Sequence, residues 1–392
     1  MSRSRSIIIA GAGIGGLTAA LTLARAGYRA VVLEQATRLE EAGAGIQLSP
    51  NATRVLESLG LAGRLRPLVV APQAISIRTA FGTLLARVPL GDAADQRYGA
   101  PYWAIHRADL QAVLAAAVSE SVDVTLRLGT RVEDFAVHQH GVTVQARRQD
   151  GVHDEQGIAL IGADGLWSTL RTRMGDDKPP VFAQRTAWRA TLPAQQVTPE
   201  FRTSETSLWL GRDAHLVHYP VKAGREINIV AIVRDDWHGA GWSEPGKASD
   251  LLPRYDSFAP AARALLSLPQ RWQKWALFDR PPGLPRREGP MTLIGDAAHP
   301  MLPFLAQGGA MAIEDAAVLA NCLVRDESPV DAMRAFESAR RARVARVQNE
   351  ARSNSQRYHM AGPLGLARNT FLRMMGGEKL LRSYDWLYGW SP

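Results

Sequence analysis

Residues Ser6 to Leu17 read Ser-Ile-Ile-Ile-Ala-Gly-Ala-Gly-Ile-Gly-Gly-Leu, a stretch that few folds can accommodate. Four apolar residues, Ile7 to Ala10, predict a buried strand, Gly11-x-Gly13-x-x-Gly16 a tight turn, and Leu17 to Ala24 a helix. Gly11 admits the turn, Gly13 and Gly15 leave room for a phosphate, and Gly16 lets helix and strand pack closely, with the first helical N–H groups facing the anion. A second hydrophobic strand, Ala30 to Leu33, ends at Glu34, about 18 residues past Gly16, where a carboxylate accepting ribose hydroxyls is expected. These residues support a dinucleotide at the first helix of an α/β fold. The alternative is a glycine turn that holds no ligand.

At 392 residues the chain exceeds one ordinary core, so two domains sharing an interface are expected. Its single cysteine, Cys322, excludes an internal disulfide and a cysteine-based metal site; no metal is expected, and a reducing cytoplasm fits. Arg3 and Arg5 precede an apolar run that glycines soon interrupt, which suits a strand better than a signal peptide. No apolar stretch approaches the roughly 18 residues of a membrane span. The net charge of +8 raises nucleic acid as a partner. However, Arg340, Arg341, Arg343, Arg346, Arg352 and Arg357, interleaved with Ala339, Val344 and Val347, read as the solvated face of a helix, and no nucleic-acid motif accompanies them. The charge would rather steer anions inward.

Along the chain, a glycine-punctuated loop from Glu41 to Asn51 leaves the Gln47 amide free either to face a ligand or to lie on the surface, and a helix from Ala52 to Leu59 is capped by Ser49 or Asn51. Short strands at Ile75–Arg78 and Leu84–Val88 make a first excursion from the nucleotide unit. Arg107, at the start of a helix running from Leu110 to Val118, is poorly placed for the helix dipole and suggests an anion to neutralise it. Strands follow at Val122–Leu126 and Gly141–Ala146, then Ala159 to Arg171 reads as a strand ending in Asp164-Gly165 with Ser168 and Arg171 behind it. From Val181 to Leu277 the pattern is strand-rich and aromatic. Within it, period two puts His215, Val217 and Tyr219 on one strand face and His218 on the other. The last strand ends in Gly295-Asp296, before a proline-fixed loop, a Gln307-Gly308-Gly309 turn and a helix of few charges from Met311 to Leu323. Helices and an aromatic tail, Tyr384 to Trp390, complete the chain.

Together, Gly11-x-Gly13-x-x-Gly16 with Glu34, Asp164-Gly165 with Ser168 and Arg171, and Gly295-Asp296-Ala-Ala-His299-Pro300 resemble the single-component FAD-dependent aromatic hydroxylases, or group A flavoprotein monooxygenases. Within that class, Pro303-x-x-Ala306-Gln-Gly and the Trp-Leu-Tyr-Gly ending are most similar to the salicylate hydroxylase, 3-hydroxybenzoate 6-hydroxylase and 6-hydroxynicotinate 3-monooxygenase group. The resemblance implies an α/β fold: a Rossmann-like FAD-binding domain (residues 1–73, 101–178 and 279–330), an inserted, mostly antiparallel substrate domain (74–100 and 179–278) and a C-terminal helical segment (331–392) packed on the first. It implies that Gly11, Gly13, Gly15 and Gly16 take the FAD pyrophosphate and Glu34 the adenosine ribose. Arg107 would face the phosphates, Asp296 the ribityl chain, Asp164 both FAD and the nicotinamide, and Gln307, Gly308 and Gly309 the flavin ring. His215, Tyr219, Gln47 and Pro303 would form the catalytic side, with the histidine managing a phenol proton.

The activity implied is NADH- or NADPH-dependent hydroxylation of a phenolic or N-heteroaromatic acid by way of a flavin C4a-hydroperoxide, with O2 as co-substrate and NADH the donor the resemblance favours. A small aromatic substrate is the expected partner, and the protein would be a monomer or homodimer. Met301, Leu302, Pro303 and Phe304 are apolar where relatives often carry a polar side chain, and no cation is assigned to a substrate carboxylate. A hydroxylase of a quinone precursor or secondary metabolite, and a flavoprotein reductase without oxygen transfer, therefore remain open.

Overall fold

The structure, a computed structural model, describes residues 6–39, 44–239, 241–283, 285, 289–326 and 328–392. Arg3, Arg5 and residues 41–43 of the glycine-punctuated loop lie outside the described residues. The opening strand, Ser6–Ala10, is the centre of a five-stranded parallel sheet, ordered Met291–Leu293, Ala159–Gly162, Ser6–Ala10, Arg29–Leu33, Val124–Arg127. Both faces of that strand are buried, which explains its unbroken apolar run. Ile7 and Ile9 pack on the helix side with Leu17 and Leu23 of the helix Ile14–Arg25. Ile8 and Ala10 pack on the other side with Val142, Val144 and Ala146 of a three-stranded antiparallel sheet.

The second sheet has eight strands, ordered Ser243–Gly246, Trp272–Asp279, Val181–Pro193, Glu226–Arg234, Ala214–Val221, Glu205–Leu210, Ala74–Thr79, Leu84–Pro89. The early excursion thus joins the later strands, with Ala74–Thr79 running parallel to Glu205–Leu210 and every other pair antiparallel. One face is closed by a core that includes Trp188, Leu216, Ile229 and Tyr255, the other by residues that include Ile232, Phe304, Val347 and Tyr388. The second of these cores holds the long helix Pro329–Tyr358 and the aromatic tail against the sheet.

Several boundaries depart from the expectation. Gln47 lies in a strand, Gly45–Leu48, paired antiparallel with Trp103–His106, not in a loop. The following helix spans Pro50–Ser58, and although Ser49 holds the N-cap position its hydroxyl donates to Asn51 Oδ1 at 2.5 Å instead of capping. The strand expected from Val122 begins at Val124, and Val122 is exposed. The basic face of the long helix is only partly solvated. Arg340 is buried and Arg343 nearly so, because both meet Glu314 of the helix Gly308–Arg325.

Candidate active site

The C-terminal ends of the parallel strands converge on one cleft, where doubly wound sheets hold their ligands. Gly11 has φ +105°, and a Cβ there would stand 2.4 Å from the Ala163 carbonyl oxygen; one on Gly16 would stand 1.9 Å from that of Gly11. The turn is therefore closed to side chains at both ends. At Gly13 a Cβ would meet no protein atom within 4 Å, and Gly13 and Gly15 line the cleft. The helices Ile14–Arg25 and Gly308–Arg325 both begin here without a capping side chain or an acidic first turn, and Gly308 and Gly309 line the same cleft. Two sets of free amide donors with their dipoles aimed at one space fit an extended anionic cofactor such as FAD.

The other residues expected to bind the cofactor stand around this frame. Glu34 accepts from Ala12 N at 2.7 Å and Ala36 N at 2.8 Å, which fixes its carboxylate beside the glycine turn and leaves it half-buried with lone pairs to spare. Arg107 opens the helix Arg107–Glu120 and lines the cleft with Asp296. Asp296 is open to the cleft interior but ringed by protein, so desolvation raises its carboxyl pKa against the pull of Arg107 and His299. Asp164 behaves differently from the expectation. Its two oxygens accept from Ser168 Oγ at 2.6 Å and Leu170 N at 3.1 Å, and it is Ala163 and Gly165 that line the cleft. Burial raises the Asp164 carboxyl, opposed by those hydrogen bonds. Gln307 is also turned away: its Nε2 donates to Ser49 Oγ at 2.8 Å and its Oε1 accepts from Asn51 Nδ2 at 3.1 Å, locking the turn to the helix Pro50–Ser58.

Behind the cleft lies a buried ion network that the sequence reading missed. Arg340 donates to Glu314 and Asp315, each at 2.7 Å; Arg343 donates twice to Glu314; His299 Nε2 lies 2.6 Å from Asp315 Oδ2, which also accepts from Gly295 N. Burial alone would raise the Asp315 carboxyl, but His299 and Arg340 hold it at about 2. The network ties the helix that starts at Gly308 to the Gly295–His299 turn and the long helix, and Trp390 lies over Arg340 and Arg343. Two adjacent acids in a helix whose only other charge is the terminal Arg325 were the available signal.

The cleft, about 310 Å³ in all, continues toward the second sheet, where Gln47, Arg189, His215, Tyr219 and Pro303 border it. Gln47 Oε1 accepts from Tyr102 OH at 2.8 Å, and Gln47 and Tyr219 border the same space. Burial raises the Tyr219 pKa, opposed by Arg189 and Gln47, so Tyr219 stays a neutral phenol that donates rather than a base. His215 is buried, and burial, then His359 and Arg185, lower its pKa well below the usual value. It is therefore neutral at pH 7. Its ring meets Phe304, Tyr358 and His359, whereas His218, on the opposite strand face, accepts from Trp209 Nε1 at 3.1 Å.

Arg189 puts a cation on the cavity wall that the sequence did not assign to the site. Its Nε is buried without a hydrogen-bond partner, and among the described residues no carboxylate pairs with it. Burial, with Arg107 nearby, weakens its hold on its proton, against the pull of Tyr219. Arg107, Arg189, Asp296, Met301 and Pro303 also border a second cavity of about 370 Å³, whose far wall carries Trp242 and Trp275 with ring centroids 4.6 Å apart.

A glycine-turn cleft that opens onto a cavity under a mixed, largely antiparallel sheet fits a flavin-dependent monooxygenase of aromatic rings. Comparison with known proteins makes the membership specific: the chain belongs to the FAD binding domain family, matched over residues 4–351. It is 37% identical over 386 residues to 3-hydroxybenzoate 6-hydroxylase 1 of Aquipseudomonas alcaligenes, covering 98% of this chain and 97% of the relative. It is 33% identical over 362 residues to 6-hydroxynicotinate 3-monooxygenase of Pseudomonas fluorescens, covering 91% and 92%. Among solved structures, Klebsiella pneumoniae HpxO complexed with FAD and uric acid superposes with a TM-score of 0.85 at 26% identity, covering 98% and 96%. The protein is accordingly a FAD-dependent aromatic-ring monooxygenase, drawing on O2 and a nicotinamide donor, with the fold class expected from its motifs. Among the described residues no helix is long and apolar enough to cross a membrane.

Proposed function

We propose that this enzyme hydroxylates a monocyclic phenolic acid, using NADH, and that the acid's carboxylate is received by Arg189. The observation that carries the reading is a half-buried guanidinium on the cavity wall, its Nε buried without a hydrogen-bond partner and, among the described residues, with no carboxylate paired to it, near a histidine and a tyrosine on one strand face. An unpaired buried charge is costly, and an anionic ligand removes the cost. Relatives named for hydroxybenzoate and hydroxynicotinate fit that chemistry.

The cofactor, when bound, supplies the electrons taken from NADH and the activated oxygen. Gly13, Gly15 and the first amides of the helix Ile14–Arg25 hold its phosphates, Glu34 its ribose and Asp296 its ribityl hydroxyls. Gly308 and Gly309 bring a helix N-terminus to the ring, where it favours negative charge. Tyr219, oriented by Gln47, donates to the substrate, and His215 takes the phenol proton so that the ring becomes electron-rich. An anionic acid entering the cavity adds the negative charge that raises a buried histidine's affinity for a proton. Pro303 and Met301 form an apolar wall that keeps water from the reacting atoms. The second cavity, with its tryptophan pair, receives the nicotinamide. A lone, buried Cys322 fits residence in a reducing cytoplasm, as a monomer or homodimer.

The test is NADH oxidation and O2 uptake by the yellow holoprotein with 3-hydroxybenzoate, salicylate, 6-hydroxynicotinate and their uncharged amides. Acids should stimulate turnover and amides should not. Stimulation by large uncharged aromatics alone would replace this reading with a secondary-metabolite hydroxylase.

A further inference from the structure

His359 closes the long helix, 144 residues from His215 in sequence, and yet its Nε2 lies 2.8 Å from His215 Nδ1 with both rings buried. The other nitrogen of His359, Nδ1, lies 2.6 Å from the Ser355 carbonyl oxygen. A carbonyl oxygen can only accept, so Nδ1 of His359 carries the hydrogen. In the neutral ring Nε2 is then a bare lone pair. That lone pair accepts from His215 Nδ1–H, which leaves the hydrogen off His215 Nε2. Among the described residues, no protein group bonds His215 Nε2, and His215 borders the cavity.

We infer that His359 is a positioning residue: the chain Ser355 C=O to His359 to His215 fixes one tautomer and one ring orientation of His215, presenting its Nε2 lone pair to the substrate hydroxyl. The inference rests on the proton-accepting role proposed above for His215. In the step it serves, the phenol O–H bond breaks, its electron pair stays on the ring oxygen, and the proton forms a new bond to His215 Nε2. His215 Nδ1–H remains donated to His359, which receives part of the new positive charge.

The neighbourhood supports a neutral pair. Burial first, and then Arg185, lower the His359 pKa to about 4, against the Ser355 hydrogen bond and Asp213. Arg368 faces it from the next helix, and Arg185 faces both rings. The ring stack is held from the other side by Phe304 and Tyr358, and Phe304 O accepts from Tyr358 OH at 3.1 Å and Asn354 Nδ2 at 3.2 Å. The helix end that carries His359 is thus tied to the loop that walls the cavity, which sets the ring by structure rather than by chance contact.

The experiment uses FAD-loaded protein labelled with 15N-histidine, with His215→Gln for assignment, and kinetics with 3-hydroxybenzoate as the probe. In wild type, His215 should show a protonated Nδ1 and a bare Nε2. His359→Leu should shift hydrogen onto His215 Nε2 and lower kcat on the order of a hundredfold, with little change in KM. His359→Gln, whose side-chain oxygen can accept the same N–H, should restore the tautomer and most of kcat. A wild-type His215 protonated on Nε2, a tautomer and kcat unmoved in His359→Leu, or a glutamine variant no better than leucine would each overturn the inference. If wild type turns over no aromatic acid, the functional reading fails, while the nitrogen spectra still decide the role of His359.

Discussion

Replacing Arg189 by methionine should separate the binding of the acid from the stability of the fold. In the free protein Arg189 is half-buried, its Nε is buried with no partner among the described residues, and Arg107 is a like charge nearby. Methionine matches much of its length without the desolvation cost, so the unliganded variant should gain about 1–3 kcal/mol, judging from buried charges replaced by apolar residues. At about 2–4 °C per kcal/mol for a large domain, that raises Tm by several degrees. Acid binding should move the other way. Losing a charge-assisted, buried contact costs about 2–4 kcal/mol, which lowers kcat/KM for hydroxybenzoates by about 30- to 1000-fold. Thermal unfolding of the flavin-loaded protein and steady-state NADH oxidation read the two effects, and flavin absorbance shows that the cofactor stays bound. A variant that is less stable than wild type and keeps its KM for acids would refute the reasoning.

Two further outcomes are expected. Glu34→Ala removes the carboxylate fixed by Ala12 N and Ala36 N, so affinity for FAD should fall roughly a hundredfold from the loss of two charged hydrogen bonds to the ribose; undiminished flavin in the purified variant would contradict it. Stability should also fall with acid. His218 is held at about 3 and His359 at about 4 in the fold, mainly by burial, against about 6.5 when unfolded. Below pH 6.5 the unfolded chain therefore binds more protons than the folded one, and each histidine subtracts about 1.4 kcal/mol per pH unit until its folded value is reached. Between pH 6.5 and 5, above the carboxyl range, Tm should drop steadily. A flat Tm across that window would show that these rings protonate in place.

What was legible in the sequence was local or strictly periodic. The glycine turn could be read because Gly16 excludes a side chain through Gly11 of the same strand–turn–helix unit and Gly11 takes a positive φ, although the carbonyl that closes Gly11 to a side chain belongs to the distant Ala163. The shared face of His215 and Tyr219 followed from the two-residue repeat of a strand. Features that depend on distant partners were hidden. Gln47 lies in a strand of four residues that exists because Trp103–His106 pairs with it. Arg340 and Arg343 carry the same helical spacing whether they face water or two buried acids, and only the packing of the helix Gly308–Arg325 decides between them. Asp164 and Gln307 are expected at the cofactor from their motifs, but their side chains hold turns while backbone beside them lines the cleft. Arg189 and His359 stood out only once two sheets and a helix end met at one cavity.

The central claim is oxygen transfer to the ring of an aromatic acid, and mass analysis of product formed under 18O2 tests it most directly. With hydroxybenzoate, NADH and the FAD-loaded enzyme, one labelled oxygen atom should enter each product molecule for each NADH consumed. NADH oxidation with the acid recovered unchanged and the oxygen released as hydrogen peroxide, across every aromatic acid tried, would contradict it.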